Sequence, residues 1–208
     1  MNGTLVLRSR QRACAVDLRS LRRIVRALLT DLLQEEHFNL GICLLSAPEM
    51  TRLNETYLQH RGPTDVITFD YTQRAGLASG LYFEPASTVA TLDRLDGCSP
   101  LLHGEIFVCL DQAIAQARRF RTSWQSELVR YIVHGVLHLQ GQQDLQAATR
   151  RRMKREENRL LRQLGRRFNF RELARQERGS VQRTLPRSTL PRSTLQQPLF
   201  LEQTGVAS

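Results

Sequence analysis

The stretch His134-Gly-Val-Leu-His138-Leu-Gln-Gly-Gln-Gln-Asp144 places two of the chain's five histidines four residues apart and follows them with a carboxylate. On an α-helix, side chains at i and i+4 lie one above the other on the same face, so His134 and His138 can aim two imidazoles at one point. Gly141 suits a left-handed residue just past a helix end. A turn there brings Asp144 round to close a third corner. Two imidazoles and one carboxylate are a donor set for zinc that leaves one coordination position to water, as catalytic sites do. The same set also suits iron(II) or another divalent transition metal. Gly135 stands where an HExxH metallopeptidase carries its glutamate base, so this helix offers no such base. A residue that small lets another backbone pack closely, or leaves room for a bulky substrate.

The elements that must hold these groups are readable from periodicity. The two histidines fall on a helix, WQSELVRYIVHGVLHLQ, capped by Thr122 or Ser123, with Leu128, Tyr131, Ile132, Val136 and Leu139 apolar. Asp17 caps an amphipathic helix from Leu18 that carries Leu21, Ile24, Val25, Leu28, Leu29 and Leu32. Ser46, Pro48 and Glu49 form the start of another helix, with a capping box, running to about Tyr57. Residues 111–120 read as a helix with Asp111 near its own positive end, and a basic helix spans about 146–164. Strands are expected at 4–8, 40–45, 66–69 and 105–110, with a further short candidate at 13–16. The fold class is α+β: a small mixed four-stranded sheet packed against about five helices, with a metal site at the end of a central helix. Residues 70–103, punctuated by Gly76, Gly80, Pro85, Gly97 and Pro100, read as an irregular insertion with a short helix near 88–95. The expected organisation is a domain over 1–165 and a basic, Pro/Ser/Thr-containing, disordered tail over 166–208, in which LPRST occurs twice in succession.

Charge narrows the partner. Thirty Lys and Arg stand against 20 Asp and Glu, a net charge of +10. Residues 145–208 hold 14 Arg and one Lys against five Glu, so the whole excess lies downstream of the histidine pair. Such a local excess favours a polyanion through counterion release. Arg150, Arg151, Arg152, Lys154 and Arg155 are the candidate contacts to a nucleic-acid backbone. No apolar run is long enough to span a membrane, and the first residues lack a secretory pattern. Cys14, Cys43, Cys98 and Cys109 are far apart and form no CxxC pair, which points to free thiols in the cytoplasm. Thr64, Asp65 and Thr68 lie at a strand edge, where they line a cleft or cap a turn. His103 is a candidate substrate contact or a surface loop residue.

The motif and its neighbours together resemble one family. His134-Gly-Val-Leu-His138-Leu-Gln-Gly141 with a ligand at Asp144 is similar to the HGxLHLxGxxH signature of the YbeY family, bacterial metal-dependent endoribonucleases that mature ribosomal RNA. Leu53-Asn54 followed by Pro63-Thr64-Asp65-Val66-Ile67-Thr68-Phe69 resembles the family's LN…PTDVLSF segment. Gly104-Glu105-Ile106 resembles its GDI strand, and Met153 with Glu157 the M…E of its last helix. The resemblance covers about residues 38–165. It implies one zinc ion per chain on His134, His138 and Asp144, which are then also the catalytic residues. It also implies cleavage of single-stranded RNA, in maturation of the 16S rRNA 3′ end and in ribosome quality control, with ribosomal RNA and the small ribosomal subunit as partners. Two departures stand out. Asp144 replaces the family's usual third histidine, which lowers the charge of the site by one and makes a bound water less acidic. Leu58 stands where the family often has an arginine, and Arg61 is the candidate substitute for that phosphate contact. The alternatives are a metallopeptidase-like hydrolase, which the missing glutamate opposes, and a non-catalytic RNA-binding ribosome-assembly factor in which the metal only stiffens the fold.

Overall fold

The computed structural model describes residues 2–72 and 102–174. Strand β1 (Asn2–Ser9) leads to α1 (Leu18–Arg26), which continues as a π-helical stretch, Ala27–Leu32. Then come β2 (His37–Leu45), α2 (Ala47–Leu53) with a π-helical extension Asn54–Leu58, and β3 (Val66–Asp70). Strand β4 (Leu102–Cys109) is followed by α3 (Leu110–Phe120), α4 (Trp124–Leu139), α5 (Ala147–Arg167) and a 3-10 turn, Phe170–Leu173. The sheet order is β1-β2-β4-β3. β1 and β2, and β2 and β4, pair in parallel, while β3 runs antiparallel to β4, so the sheet is mixed and the fold is α+β.

Local chemistry starts the helices where the sequence says. The Asp17 carboxylate accepts from the N–H groups of Arg19 and Ser20, satisfying donors that a helix start leaves open. Ser46 and Glu49 close the capping box at α2. Asp111 lies in the first turn of its own helix, as expected, and also serves the start of a second one. Its carboxylate accepts from the N–H of Ala47 at 2.6 Å and so ties α3 to the start of α2.

Alternation along the strands sorts the core. Leu5, Leu7, Leu40, Ile42, Leu44, Ile106 and Val108 join the buried faces of α1, α4 and α5 in one cluster. The other face of the sheet is covered by α2 at the β3–β4 side, where Met50, Ile67 and Cys109 are buried with Leu53, Leu58, Phe69 and Phe107 around them. Helix α4 lies unusually close to the sheet. A Cβ on Gly135 would sit 2.8 Å from Ile106 Cγ2 and 3.1 Å from Thr68 Cγ2. Gly135 is therefore there for close packing, which answers the choice the sequence left open.

One expectation needs correction. Residues 13–16 are not a strand: Gln11 Oε1 accepts from the N–H groups of Ala13 and Cys14, and only Val16 makes a bridge, to Ala174. A buried side-chain amide has taken the place of a ladder. The last helix runs on to Arg167, Leu173 is fully buried, and Phe168 and Phe170 pack on the core. The short helix expected near 88–95, Cys98 and the repeated LPRST segment lie outside the described residues.

Candidate metal centre

Helix α4 carries both histidines in its last turns, and its end delivers the third donor. Gly141 has φ 85°, and its N–H bonds to the His138 carbonyl at 2.8 Å, while the Gln142 N–H bonds to Leu137 O at 3.0 Å. This left-handed reversal satisfies the last carbonyls of the helix. It also swings the Gln142 carbonyl back to within 3.0 Å of His138 Nδ1. Ligand atoms of His134, His138 and Asp144 then all lie within 4.8 Å of one another, and all three residues are half-buried.

The ring nitrogens define the site. His134 Nε2 and His138 Nε2 face each other at 3.0 Å, with the rings nearly perpendicular at 88°. His138 Nδ1 is met by a backbone carbonyl, and His134 Nδ1 by Glu157 Oε2 at 3.3 Å. Both of these partners are pure acceptors, so each neutral ring keeps its proton on Nδ1. Both Nε2 lone pairs are then turned toward the same small volume. Two opposed lone pairs repel unless a cation lies between them, and zinc takes imidazole nitrogens at about 2.0–2.1 Å. The donor set fits a divalent metal. Burial, then the neighbouring His134, push the His138 pKa down and favour the neutral ring, the form able to ligate a metal.

Glu157 was noted in the sequence only as part of a family pattern, and its task becomes visible here. It sits in the buried stripe of α5 with Met153, Leu160 and Leu164. A carboxylate at such a position needs charged or donor partners. Arg130 Nη1 donates to its Oε1 at 2.5 Å and Lys154 Nζ to the same oxygen at 2.8 Å. Burial alone would raise its pKa, but the bonds from His134, Lys154 and Arg130 hold it at about 2. The signal in the sequence was an acidic residue in an apolar stripe. Its partner His134, on another helix, was not readable.

The remaining expected contacts divide. Arg150 Nε donates to Asp144 O at 3.0 Å and Nη2 to Leu145 O at 3.4 Å, so this guanidinium braces the loop that presents Asp144. Arg151, Arg152 and Arg155 are exposed on the same helix. Arg61 is exposed, and no bond among the described residues ties it to the three donors. Leu58 packs into the small cluster under α2. Thr64 donates to Asp65, and Asp65 accepts from the N–H of Val66 at the start of β3, so these two residues shape a turn. Thr68 lies under Gly135, and His103 stacks edge-on against Tyr71 at 5.5 Å. A groove of about 430 Å³, lined by Arg8, Arg10, Asn39, Tyr71, His103 and Glu105 among others, opens on the sheet and includes none of the three metal donors.

The family model described as Endoribonuclease YbeY matches residues 7–165. The chain belongs to the YbeY family. Proteins named Endoribonuclease YbeY from Chlorobium luteolum and Salinibacter ruber are similar to it. The first is 36% identical over 113 residues, covering 54% of this chain and 64% of the relative. The second is 32% identical over 123 residues, covering 59% and 68%. The matched part thus spans about two thirds of the length of these YbeY relatives. The solution structure of a Thermotoga maritima protein superposes with a TM-score of 0.51 at 18% identity, covering 79% of this chain and 91% of that one, and so shares the fold. No helix among the described residues is long and apolar enough to cross a membrane.

Proposed function

We propose that the chain is a metal-dependent endoribonuclease that acts on single-stranded regions of ribosomal RNA, maturing the 16S rRNA 3′ end and serving ribosome quality control in the cytoplasm. Zinc, one ion per chain, is held by His134, His138 and Asp144. The observation that carries this reading is the pair of Nε2 atoms 3.0 Å apart, each with its Nδ1 engaged by an acceptor. A divalent ion at that point supplies Lewis acidity for hydrolysis of a phosphodiester. The protein's part is positioning. Glu157 and the Gln142 carbonyl fix the two rings, and Arg150 fixes the Asp144 loop. The exposed Arg151, Arg152 and Arg155 hold the RNA backbone electrostatically without reading its sequence, and Arg61 adds a further phosphate contact. Relatives named endoribonucleases support the reaction class. The peptidase alternative is opposed by Gly135, whose Cα faces a packed sheet and offers no base.

The test is cleavage of structured RNA and of casein by the purified chain, with and without chelator, beside the Asp144→Asn variant. Chelator-sensitive RNA cleavage that disappears in the variant is the expected result. Cleavage of casein supports a peptidase instead. RNA binding by metal-loaded protein with no cleavage supports the assembly-factor reading.

A further inference from the structure

The most buried carboxylate among the described residues belongs to Glu157, whose side chain is 4% exposed. Its two oxygens do different work. Oε2 faces His134 Nδ1 at 3.3 Å. Oε1 receives Arg130 and Lys154. The two cations also differ. Arg130 stands one turn before His134 on α4 and is braced by Glu127 at 3.4 Å and Asn158 at 3.1 Å. Lys154 is 56% exposed, and its only ion pair among the described residues is with Glu157. Arg130 is a fixed brace, whereas Lys154 is a removable countercharge.

A carboxylate on the far nitrogen of a ligating imidazole fixes its tautomer and direction and raises its basicity as a ligand. A cation sharing that carboxylate draws off part of its charge and weakens the effect. We propose that Glu157 is a positioning residue for His134 and that Lys154, expected from the sequence to contact RNA, instead sets how strongly Glu157 acts on the metal ligand. Arg130 anchors the pair. The proposal rests on the reading of His134 as a metal ligand, but not on RNA cleavage.

The experiment measures zinc affinity by competition with a chromophoric chelator, and the ligand field by the visible spectrum of the cobalt(II) form. It compares the full chain with Glu157→Gln, Lys154→Ala and the double variant. Glu157→Gln weakens zinc binding by about 10- to 100-fold and shifts the cobalt bands. Lys154→Ala tightens zinc binding by about two- to fivefold, the range open to a half-exposed ion pair. In the Glu157→Gln background the lysine substitution has no effect. A merely structural Glu157 would lower the melting temperature of the metal-free protein and leave affinity and spectrum unchanged, which would overturn the proposal. A Lys154→Ala protein that binds zinc no more tightly would overturn the tuning role, and this exposed site tests it even where Glu157→Gln folds poorly. If none of the proteins, the unsubstituted chain included, binds zinc or cobalt, the metal reading itself fails. RNA cleavage lost with metal affinity intact would count only against the nuclease reading.

Discussion

The helix-covered face of the sheet and its open face both gather polar side chains, and they treat them in opposite ways. In and beside the groove on the open face, opposite partners meet. Tyr71 donates to Glu105 at 3.0 Å, and Arg10 pairs with Glu49 at 3.2 Å. Burial, then the nearby Glu105, push the Tyr71 pKa up to about 12, and burial pushes the Cys43 thiol up as well, so neither is poised to ionise near neutral pH. On the covered face, the outer nitrogens of His134 and His138 are satisfied and the inner ones are set against each other. The groove offers room, about 430 Å³, but no group in it calls for a ligand in this way. Unresolved electrostatics choose the end of α4. The lesson is that candidate chemistry is found where a fold leaves like groups facing each other, because a cation or a proton must complete them.

The largest effect that can break this contrast is on metal content. His138→Ala removes a proposed ligand, so its loss of zinc affinity should exceed the roughly 100-fold ceiling of an outer partner. His103→Ala, in the groove, should leave affinity within about twofold. Elemental analysis after dialysis against limiting chelator reads both, and equal losses would erase the distinction between the two faces.

A smaller effect sharpens the same contrast through packing. Gly135→Ala forces a methyl against Ile106 and Thr68 at 2.8 and 3.1 Å, in a place where neither wall is free to retreat. It should cost about 1–3 kcal/mol, as overpacking does. Gly41→Ala on the open face meets only the flexible Glu105 side chain, at 3.1 Å. Surface changes of that kind stay within about 0.5 kcal/mol. Urea unfolding of the two variants measures the difference.

Much of this was legible before any coordinates. The capping box at Ser46, the Asp17 cap and the four-residue spacing of the histidines are local rules, and local rules survive into the fold. The turn at Gly141 belongs to the same class, since only a left-handed residue ends the helix that way. What could not be read depends on distant contacts. Glu157 meets His134 from another helix, and Asp111 caps α2 from the start of α3. Arg150 stands in the sequence as one of five candidate nucleic-acid contacts, and nothing there marks its bonds to the Asp144 loop. The short apolar run at 13–16 carried a strand-like pattern, but Gln11 supplied a competing set of backbone bonds. For Glu157 and Asp111 the missing information was a partner remote in sequence; for Arg150 and residues 13–16 it was which of several nearby backbone groups the side chain bonds.

The most direct test of the central claim is anomalous X-ray diffraction at the zinc edge from crystals grown with zinc. One peak is predicted, lying between the Nε2 atoms of His134 and His138 and against the carboxylate of Asp144. A zinc peak in the groove beside His103 and Glu105, or none at the end of α4, would contradict the account.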